Sequence, residues 1–168
     1  MSSPTLTAPP TTLPSLRKPT VADVGEIMAL LEADIRSERL LPRTHRAVAE
    51  RLRDYTVAEL GGVVVAVGSM SVVDLHLVEI GVLKTDHPET EQRLMAALLA
   101  EAQQLGVERA FVLTDDPDRF AALGFDRTTL AELPEKRDRQ CLRCPRLPRC
   151  RQVALHRPLE PMVLRASA

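Results

Sequence analysis

Tryptophan is absent from this sequence and aromatic residues make up only 2% of it, so the flat side chains on which nucleic-acid bases stack are nearly missing. The formal net charge is −1, which also removes the basic field that draws a protein onto nucleic acid or an anionic membrane. No apolar run approaches the ~20 residues of a membrane-spanning helix, because charges fall between all the apolar segments. Neither nucleic acid nor a membrane is therefore an expected partner. Residues 1–19 are rich in Pro, Ser and Thr and contain neither a charged leader nor an apolar signal core. They read as a disordered tail. The expected compartment is then the cytoplasm, where thiols stay reduced and Cys141, Cys144 and Cys150 need not pair. One further absence is local: the stretch 84–92, Lys-Thr-Asp-His-Pro-Glu-Thr-Glu-Gln, contains no glycine.

Against these absences stands a hydrophobic content of 45% over 168 residues, enough to bury the core of one domain. Helical spacing begins at Thr20, with Val21, Val24, Ile27, Leu31 and Ile35 on one face and Asp23 placed to complete a capping box. Thr44 caps a shorter helix whose inner stripe is Val48, Arg51, Leu52 and Tyr55. From Thr56 the period becomes that of a strand, Gly61-Gly62 supplies a two-residue turn, and the pattern returns over 63–73, which predicts a hairpin. A strand over 77–85, a helix over 90–105 closed by Gly106, and a strand over 110–114 follow, with Leu123-Gly124-Phe125 beyond. The switch of period from two to 3.6 and back predicts two parallel strands joined by a crossover helix. The expected fold is α/β (α+β), a mixed central sheet flanked by helices. It spans a single domain over 20–157, including a cysteine-containing segment at 136–151, with a tail at 158–168.

The strand, helix, strand and closing Leu-Gly-Phe resemble the core of the Gcn5-related N-acetyltransferases. Shorter pieces narrow the resemblance: Leu40-Leu41-Pro42-Arg43, the run Arg-Asp-Tyr-Thr-Val-Ala-Glu over 53–59, Glu79-Ile80, Ala-Leu-Leu-Ala-Glu-Ala over 97–102, Phe-Val-Leu-Thr over 111–114, and Cys141-Leu142-Arg143-Cys144-Pro145 with Cys150. In order and spacing they are similar to the short-form N-acetylglutamate synthases. The resemblance implies transfer of an acetyl group from acetyl-CoA to the α-amino group of glutamate or a related amino acid, a reaction of arginine biosynthesis. It places the coenzyme between the two parallel strands, with backbone groups near Leu83 and Thr85 on its pantetheine and thioester. Glu79 takes the role of the carboxylate that deprotonates the incoming ammonium. Arg43 takes that of the acceptor contact, since a guanidinium can grip a carboxylate with two parallel hydrogen bonds.

Several positions depart from that family. Its turn between the first strand and the helix carries an Arg/Gln and glycine run whose N–H groups hold the coenzyme pyrophosphate. Here Asp86, Glu89 and Glu91 stand at the helix start, suited to the helix dipole but repelling an anion, and a turn without glycine cannot easily bring its backbone so close. Where the family commonly has a tyrosine to protonate the leaving sulfur this chain has Phe120 and Asp115, and where it has an arginine after Glu-Ile it has Gly81. A second reading therefore stays open, a catalytically inactive amino-acid-binding or regulatory module; besides a small-molecule amino acid, a second copy of the chain or a partner protein is an open partner, and a partner chain supplying the missing loop is a separate alternative. The cysteines form Cys-x2-Cys-x5-Cys, and with His156 they make the donor set of a closed tetrahedral zinc site. Lys136, Arg137, Arg139, Arg143, Arg146, Arg149 and Arg151 surround them and are expected to lower the thiol pKa values. Ordinary free thiols and redox pairing are the alternatives to zinc.

Overall fold

The alternating apolar residues after Thr56 reverse at Gly61 and Gly62, whose φ angles of 61° and 83° are those a two-residue hairpin turn demands and that glycine adopts without strain. The computed structural model describes residues 13–160, and in it the hairpin strands β2 (Tyr55–Leu60) and β3 (Val63–Asp74) belong to one seven-stranded sheet. The other strands are β1 (Ser15–Arg17), β4 (Leu77–Lys84), β5 (Arg109–Thr114), β6 (Asp126–Thr128) and β7 (Val153–Pro158), in the spatial order β1-β2-β3-β4-β5-β7-β6. All neighbours pair antiparallel except β4 and β5. The parallel pair expected from the change of period is present, with helix α3 (Pro88–Gln104) as its crossover.

Alternation along the strands divides the core between the two faces. Val78, Ile80, Ala110 and Val112 point to the face covered by α3 and by α4 (Pro117–Ala122), where Leu94, Leu98 and Phe120 are buried. A Cβ at Gly68 would lie 2.9 Å from Leu98 Cδ1, so α3 rests directly on the backbone of β3. Val57, Val67 and Val82 point to the opposite face, against Val24, Ile27 and Leu31 of α1 (Val24–Arg36) and Val48 of α2 (His45–Glu50). On that side Leu133, fully buried with Leu77 and Phe111, seats α5 (Pro134–Arg139).

Several boundaries differ from the expected ones. The strand Ser15–Arg17 pairs with β2, so the tail expected over 1–19 is ordered in its last part; residues 1–12 lie outside the described residues. At the other end β7 continues to Pro158, and the buried Leu159 donates its N–H to the Glu108 carbonyl at 2.7 Å; residues 161–168 of the expected tail also lie outside the described residues. Val21, placed on the inner face of the first helix by spacing, is 71% exposed because the regular helix starts only at Val24. The shorter helix ends at Glu50, leaving Arg51 exposed and Tyr55 as the first residue of a strand. Gly106 has the expected left-handed φ of 77°, and its neighbour Val107 donates to the Ala102 carbonyl, as a helix C-terminus of this kind requires.

What orders β1 is charge. Arg17 donates through its two terminal nitrogens to both oxygens of Asp23 at 2.8 Å and through Nε to Glu59 at 2.6 Å. Asp23 also accepts from the Thr20 N–H at 2.6 Å and hydroxyl at 3.0 Å. These donors, Arg17 first, hold the Asp23 carboxyl well below the usual carboxylate range. Its contribution to stability is therefore complete above the unfolded value of about 3.9 and is lost as the pH falls toward the depressed folded value. We expect Asp23→Asn to lower the unfolding free energy at pH 7 by about 1–3 kcal/mol, the range for charged hydrogen bonds and helix caps. The gap to wild type in urea titrations should close on acidification from pH 5 toward pH 2, and a gap independent of pH would contradict this account.

Candidate active site

Parallel pairing between β4 and β5 is confined to three steps, Leu77 with Arg109, Val78 with Ala110, and Glu79 with Phe111. Beyond Glu79 the strands part, β4 staying with β3 and β5 with β7. The register of β3 against β4 skips at the same place. Ser69 faces Val82 while Met70 faces Ile80, which leaves Gly81 as the extra residue of a bulge. Bulges of this kind bend a strand and re-aim its groups, so Glu79 and Gly81 stand where the sheet opens.

A cavity of about 920 Å³ lies against this opening, bounded by the loop after α1, by Glu79 and Gly81 of β4, by Asp115 beyond β5, and by the segment carrying Cys144 and Cys150. Arg43 lines it. Its position is fixed locally, since the next residue, Thr44, accepts from the Ala47 N–H at 3.1 Å and so caps α2 as its sequence predicts. The Arg43 guanidinium donates to the Tyr55 hydroxyl at 3.0 Å, and no carboxylate is paired with it among the described residues. The loop before it is pinned from across the cavity. Arg146 donates to the carbonyls of Glu38, at 2.8 Å, and Leu40, at 3.2 Å, and Glu38 has a φ of 60° that a non-glycine residue adopts only at a cost. The cysteine-containing segment is thus a wall of the cavity that carries Arg43.

Glu79 has a partner that sequence reasoning missed. Lys136 Nζ donates to both Glu79 oxygens, at 2.8 and 2.7 Å, and to Gln140 Oε1 at 2.6 Å, which uses all three of its protons. Both side chains are largely buried, 11% exposed for the lysine and 16% for the glutamate. The one sequence signal was spacing: Lys136 lies three residues after the buried Leu133 and so returns to the same side of the turn.

Leu83 and Thr85, the residues expected to meet the coenzyme, both have partners within the chain. The Leu83 carbonyl accepts from Arg119 Nη2 at 2.9 Å, and Arg119 Nε is paired with Glu91. Thr85 Oγ1 accepts from the His87 N–H at 3.1 Å, a local turn that leads into Pro88 at the helix start. The helix therefore begins before the expected residue 90, and the loop from β4 to α3 is reduced to residues 85–87. Asp86 and Glu89 are exposed, whereas Glu91 is half-buried against Arg119. Phe120 is core, edge-on to Phe125 with ring centroids 6.1 Å apart.

The four-ligand zinc site is not formed. His156 sits in β7 with its register fixed between Phe111 and Asp126, and its buried Nδ1 has no hydrogen-bond partner. Among the described residues no group of three or more His, Cys, Asp or Glu could hold a metal. Cys141, Cys144 and Cys150 are free thiols. Burial pushes the Cys141 thiol up, only partly offset by Lys136, so the lowering expected from the basic surroundings does not hold at that residue.

No protein-family model matches the chain. It is 30% identical over 133 residues to an amino-acid acetyltransferase of Ralstonia nicotianae, covering 76% of this chain and 30% of that protein. It is 25% identical over 144 residues to an uncharacterized N-acetyltransferase of Chlorobaculum tepidum, covering 83% of this chain and 93% of that one. The chain thus spans about 30% of the length of the amino-acid acetyltransferases it matches. Among solved structures, N-acetylglutamate synthase from Neisseria gonorrhoeae, complexed with coenzyme A and N-acetyl-glutamate, superposes with a TM-score of 0.79 at 23% identity over 91% of this chain and 36% of that one. A GNAT superfamily phosphinothricin acetyltransferase from Sinorhizobium meliloti, in complex with AcCoA, gives 0.66 at 15% identity over 92% and 93%.

The ion pair at the mouth of the sheet yields a stability test. Lys136→Met leaves a buried carboxylate without its cation, a loss of about 3–5 kcal/mol. Adding Glu79→Gln should recover much of this in urea titrations, because the uncompensated charge is then gone. Equal destabilisation by the single and the double variant would show that the pair is not coupled.

Proposed function

We propose that this chain, which has the Gcn5-related N-acetyltransferase fold and is related to the amino-acid acetyltransferases, transfers an acetyl group from acetyl-CoA to the α-amino group of glutamate or a related amino acid. The observation that carries this reading is the meeting of two spaces, the gap between β4 and β5 and the cavity holding Arg43, at the Glu79 to Gly81 bulge. On this reading the protein works in the cytoplasm and in arginine biosynthesis.

The gap suits the pantetheine arm of the coenzyme. Past Glu79 and Phe111 the facing edges of β4 and β5 have no strand partner in each other, so apart from the Leu83 carbonyl, which accepts from Arg119, their backbone groups are available to an extended amide chain. The helix start suits a diphosphate poorly, because Asp86 and Glu89 are exposed there. When bound, the thioester supplies the activated acetyl group. Arg43 grips an acceptor carboxylate with a guanidinium already steadied by Tyr55. Glu79 holds its carboxylate at the cavity wall with Lys136 on both oxygens. Each oxygen keeps a lone pair for a further donor, so an acceptor ammonium can be held there and its proton received. Phe120 carries no proton to give a leaving group, and water at the exposed Asp115 is left with that part.

A second reading, an amino-acid-binding module without turnover, is favoured by one observation: Lys136 engages both oxygens of the only carboxylate suited to be the base on β4. Thiol release from acetyl-CoA, followed with a panel of amino acids, separates the two. Acetylation of glutamate above the buffer rate is expected, and Arg43→Ala should raise the KM for glutamate about tenfold to a hundredfold with a smaller effect on kcat, as the loss of a charged bidentate contact implies. Glutamate binding by calorimetry without any thiol release would establish the binding module instead.

A further inference from the structure

We infer that Arg119 occupies the channel between the parted strands and sets this chain's affinity for a coenzyme A thioester; the inference rests on the acyltransferase reading. Three elements meet on its guanidinium. The side chain leaves α4, its Nη2 donates to the Leu83 carbonyl of β4 at 2.9 Å, and its Nε is paired with Glu91 in the first turn of α3. Leu83 belongs to the part of β4 that has separated from β5. Its carbonyl is therefore an acceptor on the open edge, where an amide N–H of an extended ligand would bond, and an N–H of this chain takes that place.

The arm is held as well as placed. Asp116 accepts from the Arg119 N–H at 3.3 Å, Pro117 opens α4, and the guanidinium carbon lies 5.6 Å from the centroid of the Phe120 ring. Glu91 is 16% exposed and Arg119 33%, so the pair is partly withdrawn from solvent and a ligand entering the gap must break it. A positive side chain near a diphosphate would ordinarily be read as a contact for the ligand. Here that charge is already answered by Glu91, and the donor lies across the amide path.

The two roles have opposite signs. Removing a cation, and so uncovering Glu91, weakens the binding of a polyanion if Arg119 is a ligand contact. If Arg119 fills the channel, its removal strengthens binding despite the lost charge. Calorimetric titration of wild-type protein and Arg119→Ala with coenzyme A, and with the uncharged arm pantetheine, reads that sign. We expect about tenfold or more tighter binding of both by the variant, the worth of one charge-assisted hydrogen bond. Unchanged or weaker binding of coenzyme A by the variant, or binding detectable in neither protein, overturns the inference. Should Arg119→Ala fail to fold, Arg119→Met keeps the stem against Phe120 without the donors, and the same results apply. Wild-type protein that acetylates glutamate while the variant binds no more tightly sinks this inference and leaves the transfer reading standing. Tighter binding by a variant of a protein that acetylates no amino acid supports the channel and removes the transfer reading.

Discussion

Three parallel residue pairs between β4 and β5 hold the two halves of this molecule together, and most of its other features depend on their stopping where they do. A longer parallel pairing would continue the sheet and close it. A shorter one would leave α3 as a crossover with nothing to cross. With the pairing ended at Glu79 and Phe111, each strand must find its remaining hydrogen bonds on its outer side, β4 with β3 and β5 with β7. The two inner edges are then free to accept from elsewhere, a position that backbone carbonyls in a buried setting do not hold unpaired. The Leu83 carbonyl, on one of these edges, is accordingly satisfied by a side chain, that of Arg119.

Charge is concentrated where the apolar core is thin. The face under α1 and α2 and the face under α3 are packed with aliphatic side chains, but β1 is a three-residue strand and α5 a six-residue helix, too short to hold themselves by burial. Arg17 ties the first to Glu59 and Asp23, and Lys136 ties the second to Glu79. Such pairs contribute little net stability against their desolvation, but they are intolerant of losing one member. Their effect is to fix position. In the second case the position fixed is that of the candidate base together with the wall of its cavity, so docking of α5 and the geometry of Glu79 are one event.

Local pattern made much of this architecture legible in the sequence. The hairpin, the crossover helix and the parallel strands rest on periodicity, on glycine at Gly61, Gly62 and Gly106, and on the Thr44 cap, all of which act within a few residues. Arg43 and Glu79 were named through resemblance, and both line one cavity. Lys136 and Arg119 were not singled out as partners of the site. Each is a basic residue on a six-residue helix, and apart from the spacing of Lys136 after Leu133 nothing local distinguishes it from a solvated one; its meaning comes from a partner 57 or 36 positions away. The same limit explains the zinc expectation. Spacing put Cys141, Cys144, Cys150 and His156 in one donor set, but the pairing of His156 with Phe111 on one side and Asp126 on the other fixes the ring by sheet register, which no spacing rule contains.

The loop from β4 to α3 is short, and its few residues set the charge at the helix start. With only residues 85–87 between strand and helix, the turn is closed by Thr85 and the helix is started by Pro88. The first turn is then free to carry acids that favour the helix dipole. One of these, Glu91, points inward to a half-buried position, where an unanswered carboxylate is costly. Arg119 answers it from α4 and, because a guanidinium has donors on more than one side, reaches the Leu83 carbonyl as well. The Glu91 carboxylate is thus balanced from within the chain, and the same guanidinium satisfies a carbonyl on the edge of β4 that β5 has left.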